Sequence, residues 1–232
     1  MEARCKSRVS FLTQIYMNLE QDCLIHDIEN YPNLLSDIFK VPKKNEIYIL
    51  ILYKGLTDSL KSDIVKAFSD KGITCTIFNS VLQFQKWFPK EKYLVGYNSL
   101  RYDDVLLSEV MSSYSHFVTY KSIEIYLTHL YEFGNKLINE PTDYTLDNLF
   151  KTLDVQRIAG LDRIFKPLKQ TAANLKHHTI QDLPIKPGQL ITDNDIVDLL
   201  LYEFNDVEIA EKILFGIPED QVSVTIPTTA HS

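Results

Sequence analysis

The stretch Cys23-Leu24-Ile25-His26-Asp27-Ile28-Glu29 decides the fold, because it joins an apolar strand to two carboxylates. Residues two apart on a strand face the same side, so Asp27 and Glu29 are expected side by side. Adjacent carboxylates that are partly buried repel each other and lose hydration, and a divalent metal ion is the usual compensating charge. An acidic pair alone is a weak signal among 31 Asp and Glu residues, so its partners have to come from the rest of the chain.

The overall composition is that of an ordinary globular protein and bears on which functions are reasonable. The 232 residues suit one large domain better than two small ones, and 45% of them are hydrophobic. A net charge of -7 argues against coating nucleic acid through bulk charge, although it allows a local basic groove. No apolar run approaches ~18 residues, so no membrane partner is expected. The three widely spaced cysteines predict reduced thiols and a cytoplasmic location.

Hydrophobic patterning after the first strand predicts an α/β fold. Two further strands joined by tight turns suggest an antiparallel meander, and helices then alternate with strands, which indicates a mixed sheet flanked by helices. Val65 is expected on the buried face of the helix that follows Thr57, and Leu82 on the buried face of the next helix. The predicted elements are strands at 23–29, 34–41, 46–53, 73–78 and 93–97, and helices after Thr57 and over 80–88.

The second half of the chain is predicted to be mostly helical at 104–153, with a loop around Gly134 to Thr142, and irregular at 154–191. Thr192 to Asp195 resembles a capping box that opens a long last helix, closed by Gly216. Residues 9–20 carry an apolar helical stripe, read as a packing helix with a dimer contact as the alternative. The predicted organisation is a helical extension at 1–22, a domain at 23–216 and a loosely ordered tail at 217–232.

Three features further along the chain are potential partners of the acidic pair. In the stretch 96–104, Gly-Tyr-Asn-Ser-Leu-Arg-Tyr-Asp-Asp, a buried strand ends in a polar loop that carries carboxylates. Tyr202 and Asp206 are four residues apart and so share one face of the last helix. The run from Arg163 to Gln181 contains several basic residues and no acidic one, a local reversal of sign. It is either a phosphate-binding segment or a solvated loop.

The order of these features resembles the 3'-5' exonucleases of the RNase H-like (DnaQ-like) superfamily, the DEDD exonucleases, over roughly residues 23 to 215. Their motifs are Asp-x-Glu on the opening strand, Asn followed by an aromatic-Asp pair, and Tyr-x-x-x-Asp on a late helix. The matching residues are Asp27 and Glu29 in the first, Gly96, Tyr97, Asn98, Tyr102 and Asp103 in the second, and Tyr202 and Asp206 in the third. Leu201 excludes the histidine form of the third motif, which leaves the tyrosine (DEDDy) form. Many relatives have Thr where this chain has Asn30.

The resemblance implies a two-metal-ion mechanism with Mg²⁺ or Mn²⁺. Asp27 would bridge both ions, Glu29 and Asp206 would complete one metal site, and Asp103 would hold the second ion. Tyr202 would orient the attacking water. Asp103 is favoured over Asp104 because the family places the acid directly after the aromatic residue. Asp104 is then expected to be exposed at a helix start.

The implied substrate is the 3' end of DNA, single-stranded or frayed, with RNA ends as the alternative. Contacts to nucleic acid are expected from Asn98 and Tyr102 and, through phosphates, from Lys166, Lys169 and Lys176. The chain also looks like proofreading domains of DNA polymerases and bacteriophage exonucleases, which implies a replication polymerase as partner and a host cytoplasm for a viral protein. A silent binding module on the same fold is the alternative outside the enzymes. His26 is expected to be structural, on the face opposite Asp27, and Glu203 to be solvated.

Overall fold

The structure of this chain is a computed structural model that describes residues 20–120, 122–140, 150–159 and 166–216. Apart from residues 20–22, the N-terminal extension lies outside the described residues. The whole predicted tail at 217–232 also lies outside the described residues. The same holds for the last two residues, 141–142, of the loop expected at 134–142.

The first three strands form the antiparallel meander that the sequence predicts. Strand β1 (Cys23–Tyr31) pairs with β2 (Leu34–Lys40), which pairs with β3 (Glu46–Tyr53), both antiparallel. Every residue of β2 is buried, because this strand lies inside the sheet with helices on both faces. The meander prediction is confirmed.

Three parallel strands complete a six-stranded mixed sheet in the order β4-β3-β2-β1-β5-β6. Strand β4 (Thr74–Phe78) pairs with β3, β5 (Tyr93–Gly96) pairs with β1, and β6 (Lys151–Asp154) pairs with β5. The antiparallel meander followed by parallel strands is an RNase H-like layout, as predicted. The prediction of helix up to residue 153 was wrong for β6, because its four residues carry no periodic signal and pairing with β5 makes them a strand.

Helices cover both faces of this sheet. They are α1 (Asp58–Ser69), α2 (Val81–Trp87), α3 (Asp103–Tyr120), α4 (Ile123–Asn139), α5 (Val155–Ile158), α6 (Leu168–Asn174) and α7 (Ile196–Gly216), with a 3-10 turn at Ser99–Arg101. Local signals set two of the helix starts. Thr57 accepts a hydrogen bond from the Leu60 N–H at 3.2 Å. The Asp195 carboxylate accepts one from the Thr192 N–H at 2.8 Å.

Three local predictions were wrong. Val65 is 40% exposed and Leu82 is 52% exposed, since Leu60, Ile64 and Phe68 bury the inner face of α1 while Val81 and Phe84 bury that of α2. Gly134 lies inside α4 and not in a loop. A mid-helix glycine costs roughly 1 kcal/mol relative to alanine, and the close approach of other side chains explains its presence, as described below.

The two faces of β1 belong to different cores, and this division positions the site. Ile25 and Tyr31 pack with residues of α1 and α7, whereas Leu24 and Ile28 pack with residues of α2, α3 and α4. By strand alternation, Asp27 and Glu29 share the α7 face and His26 lies on the α3 side. The end of β1 therefore meets α7 on one face and the start of α3 on the other.

Candidate active site

The acidic pair on β1 lies at the centre of the candidate site. Asp27 and Glu29 are partly buried, in a strand whose neighbouring apolar residues are fully enclosed. Across the β1–β2 ladder, Asp27 is paired with Ile38 and Glu29 with Ser36. The strand therefore presents both carboxylates toward α7, at the level of the middle of β2.

Helix α7 contributes the tyrosine and the third carboxylate. Tyr202 and Asp206 are only 7% and 8% exposed, and α7 packs against β1 and β2 through their shared core. The Tyr202 hydroxyl and the Asp206 carboxylate are close enough to shift each other's pKa. Burial and the charges of Asp206, Glu29 and Asp27 raise the pKa of Tyr202 far above 10, so the hydroxyl stays protonated.

The fourth carboxylate, Asp103, is the first residue of α3 and is 8% exposed. A tight turn precedes it, in which Asn98 has a left-handed φ of 59° and is exposed. Asp154, on the edge strand β6, holds this turn by accepting hydrogen bonds from the Asn98 N–H at 3.0 Å and the Gln156 N–H at 2.9 Å. The sequence analysis missed Asp154, whose only sequence signal is the Asp before a short helix.

The charges of Asp103 and Asp206 act on both carboxylates of β1, which indicates that the four acids share one region. Burial and the charges of Asp103, Asp206 and Glu29 raise the pKa of Asp27 well above its ordinary value. Burial and the charges of Asp206 and Asp103 raise the pKa of Glu29 to about 8. Burial raises the pKa of Asp103 to about 8 against an opposing effect of His26, and that of Asp206 to about 6. Three separate elements thus bring together four acids that repel one another.

The donor chemistry of this cluster fits hard divalent cations. Carboxylate oxygens are the ligands that Mg²⁺ and Mn²⁺ prefer, and the raised pKa values express an excess of negative charge that a cation would remove. In the part of the chain that the structure describes, no three His, Cys, Asp or Glu side chains are already arranged as a ligand set for one ion.

Asp104 has a different environment from Asp103, and the expectation that it is exposed was wrong. It is fully buried, accepts a hydrogen bond from the Ser99 hydroxyl at 3.1 Å, and lies 2.9 Å from His26 Nε2. His26 Nδ1 is 3.2 Å from Asp37 Oδ1. Burial alone would lower the pKa of His26, but the two carboxylates raise it well above 6.5. His26 is therefore a buried cation on the face opposite Asp27, where the sequence placed it.

Tyr102, next to Asp103, is held by Asn30 and Gly134. Asn30 donates to the Leu130 carbonyl at 2.9 Å and lies beside the Tyr102 hydroxyl, whose pKa it lowers against the larger effect of burial. A Cβ at Gly134 would lie 2.6 Å from the Asn30 amide nitrogen and 2.8 Å from the Tyr102 hydroxyl. The missing side chain of Gly134 thus makes room for both groups beside the acidic cluster.

Among the predicted phosphate-binding lysines, the structure brings Lys169 to the site. Its ammonium group, on α6, lies 5.5 Å from the centre of the Tyr202 ring and 3.2 Å from Asp182. It also lowers the pKa of Glu29 and Asp206. The Lys166 carbonyl accepts hydrogen bonds from the Tyr97 hydroxyl and the Gln156 amide.

Lys176 and Glu203 complete the set of predicted side chains. Lys176 is exposed, with a left-handed φ of 51°, and its carbonyl accepts a hydrogen bond from Lys212. The expectation that Glu203 is solvated was wrong, since it is fully buried beneath the acidic cluster. The sequence did contain a signal for this burial. Glu203 directly follows Tyr202, so it lies near the face of α7 that packs against the sheet.

Comparisons with protein-family models, with curated proteins and with solved structures found no match to this chain. Among the helices that the structure describes, none is long and apolar enough to cross a membrane.

Proposed function

We propose that this protein is a metal-dependent 3'-5' exonuclease of the DEDDy type that removes nucleotides from the 3' ends of DNA. The observation that carries the proposal is the convergence of Asp27, Glu29, Asp103 and Asp206, with Tyr202 one helical turn before Asp206 and close enough to affect its pKa. Scattered surface acids do not raise one another's pKa values in this way. The RNase H-like layout supports the same reaction class.

The reaction is hydrolysis of the terminal phosphodiester, in which water attacks phosphorus and the 3' oxygen of the preceding nucleotide leaves. Two bound Mg²⁺ or Mn²⁺ ions would supply activation of the water and stabilisation of the charge on the phosphate and leaving oxygen. Asp27, Glu29 and Asp206 would hold one ion, and Asp27 with Asp103 the other. Tyr202, kept protonated by its surroundings, suits orientation of the attacking water and not its deprotonation.

Residues around the four acids would position the substrate. Lys169 is a cation within reach of a phosphate that approaches Tyr202, and the Tyr102 ring offers an apolar face beside Asp103. Asn98 and Lys176 are exposed, and the proposal assigns them further contacts to nucleic acid. We extend the proposal to single-stranded or frayed DNA as substrate and to a replication polymerase in the cytoplasm as partner.

The test uses 5'-labelled oligonucleotides, single-stranded and 3'-recessed, incubated with purified protein and Mg²⁺, Mn²⁺ or EDTA. Stepwise shortening from the 3' end is expected with metal, and none with EDTA. Asp27→Ala should abolish it, whereas Asp198→Asn, an exposed acid on the same helix as Asp206, should not. DNA and RNA of one sequence, compared in parallel, identify the preferred sugar.

Two results would contradict the proposal. Wild-type protein that binds oligonucleotides without cleaving them at any metal concentration would indicate a binding module. Activity that survives Asp27→Ala would place the hydrolytic centre elsewhere or in a contaminant.

A further inference from the structure

Glu203 is a fifth carboxylate beneath the site, and the two-metal assignment leaves it without a role. It is fully buried, and its Oε2 accepts a hydrogen bond from the Ser36 hydroxyl at 2.5 Å. The nearby main-chain N–H of Ile38 also lowers the pKa of this carboxylate. Among the described residues, Oε1 has no hydrogen-bond partner. Glu203 therefore joins α7 to β2 through one side chain.

The β2 residues that Glu203 contacts are the register partners of the acidic pair. Ser36 lies opposite Glu29 in the β1–β2 ladder, and Ile38 lies opposite Asp27. The attachment point of α7 is therefore at the level along the sheet where the two β1 carboxylates lie. An attachment elsewhere along β2 would hold α7 against the sheet without fixing its position relative to Asp27 and Glu29.

The same helix carries two other site residues close to this attachment. Tyr202 directly precedes Glu203, and Asp206 follows it by three residues, roughly 4.5 Å along the axis at 1.5 Å per residue. A contact that fixes Glu203 against β2 limits both sliding and rotation of α7 at that level. Any change in this contact is transmitted to Tyr202 and Asp206 through rigid helical backbone.

A carboxylate in this position is electrostatically unfavourable, which argues against a role in packing alone. Burial and the charges of Glu29 and Asp37 raise the pKa of Glu203 well above its ordinary value, and an ionised Glu203 would in turn repel Asp27. A neutral side chain of similar size would fill the space without repulsion or loss of hydration. The hydrogen bond from Ser36 offsets part of this cost.

We infer that Glu203 is a positioning residue, which through Ser36 sets the distance between the α7 groups Tyr202 and Asp206 and the β1 acids Asp27 and Glu29. The inference rests on the proposed function, because its purpose is the arrangement of metal-binding carboxylates. Its consequence is that loss of the Glu203–Ser36 contact weakens metal binding while leaving nucleic-acid binding intact.

The test compares Glu203→Gln and Ser36→Ala with wild type and with the control Asp198→Asn. Mn²⁺ affinity is measured by electron paramagnetic resonance without substrate, alongside the half-saturating Mg²⁺ concentration, kcat and KM for a single-stranded oligonucleotide, and Tm. Ser36→Ala, which removes the contact, is expected to weaken Mn²⁺ binding about 10-fold, the range found for groups that orient metal ligands. Glu203→Gln should lose less, because its amide oxygen can still accept the Ser36 hydrogen bond. KM for the oligonucleotide should stay unchanged, and Ser36→Thr, which keeps the hydroxyl, should restore Mn²⁺ affinity.

Unchanged Mn²⁺ affinity in Ser36→Ala would overturn the inference and leave Glu203 a purely structural residue. If Glu203→Gln does not fold, Ser36→Ala decides, since it removes a single oxygen atom. A wild-type protein that neither binds Mn²⁺ nor cleaves DNA would refute the proposed function itself. The two failures are therefore distinguishable.

Discussion

The ammonium group of Lys169 lies 5.5 Å from the centre of the Tyr202 ring, which joins the basic segment to the acidic cluster. Lys169 also lowers the pKa of Glu29 and of Asp206, so its charge reaches two elements of the site. A cation over an aromatic ring beside carboxylates is well placed to meet an incoming phosphate. This contact with the site distinguishes Lys169 from Lys166 and Lys176, the other two lysines predicted to bind phosphates.

Lys169→Ala is expected to lower kcat/KM by roughly 10- to 100-fold, the effect of losing one charge-assisted contact in the transition state. Because Lys169 lowers the pKa of Glu29 and Asp206, its removal should also move the acidic limb of the pH–rate profile to higher pH. The measurement is kcat/KM on a labelled oligonucleotide between pH 6 and pH 9, within the usual range for such assays.

The matched control for Lys169 is Lys176→Ala, which removes an exposed lysine from the same segment. It should weaken DNA binding modestly, flatten its salt dependence and leave the pH profile unchanged. Equal effects of the two substitutions on the pH profile would contradict a special role for Lys169. Unchanged salt dependence in a variant with Ala at Lys166, Lys169 and Lys176 would show that the segment does not contact phosphates.

Asn substitutions of Asp103 and Asp104 are expected to have opposite consequences. Asp103→Asn should abolish metal-dependent cleavage, by ~1000-fold or more if several kcal/mol of transition-state stabilisation are lost. Its stability should be unchanged or higher, because a repelling charge is removed. Asp104→Asn should destabilise the fold by roughly 3 kcal/mol, because it breaks the buried contact with His26. Urea unfolding and hydrolysis assays on both proteins give the comparison.

The assignment of these neighbours would be reversed if Asp104→Asn lost activity at full stability while Asp103→Asn remained active. Since both substitutions replace a carboxylate with an amide of the same shape, each serves as the other's control.

Stability of the metal-free protein is expected to fall as pH rises from about 5 to about 8. The folded-state pKa values of Glu29, Asp103 and Asp206 are raised to about 8, 8 and 6, so the folded state binds more protons than the unfolded state in this window. A Tm decrease of about 3 °C or more corresponds to ~1 kcal/mol for a chain of this size. Scanning calorimetry in EDTA across this pH range measures it.

Added Mg²⁺ or Mn²⁺ should raise Tm more at pH 8 than at pH 6, because the ions bind the ionised carboxylates. Glu29→Gln should flatten the pH dependence by removing one titrating group. A metal-induced stabilisation that is equal at both pH values, or absent, would argue against binding at these acids.

Gly134→Ala should disturb the position of Tyr102, because the new methyl group would lie under 3 Å from both Asn30 and Tyr102. We expect KM for the oligonucleotide to rise about 5- to 10-fold, equivalent to ~1 kcal/mol of lost binding. Gly216→Ala, where nothing lies within 4 Å of the added Cβ, is the control. Unchanged KM in Gly134→Ala would show that Asn30 and Tyr102 can move without affecting the substrate.

Local sequence signals determined much of the framework of this protein. Alternating and continuous apolar runs predicted β1, β2 and β3 as a meander, because strand periodicity and short turns are properties of a few adjacent residues. Thr57 and the Thr192–Asp195 pair marked helix starts for the same reason. The spacing of Asp27 and Glu29 placed both carboxylates on one face of β1.

Only the tertiary structure decided what the individual acids do. Asp103 and Asp104 are adjacent in sequence, yet Asp104 contacts His26 whereas the Asp103 charge raises the pKa values of Asp27 and Glu29. Glu203 is buried because β2 provides Ser36, and Gly134 is tolerated in a helix because Asn30 and Tyr102 come close to it. These outcomes depend on contacts between residues far apart in the chain. Burial then determines the pKa values of the acids and the space left for each side chain. Strand spacing and helix caps are short-range and can be read along the chain, whereas the charge environment of a side chain exists only once the elements have packed.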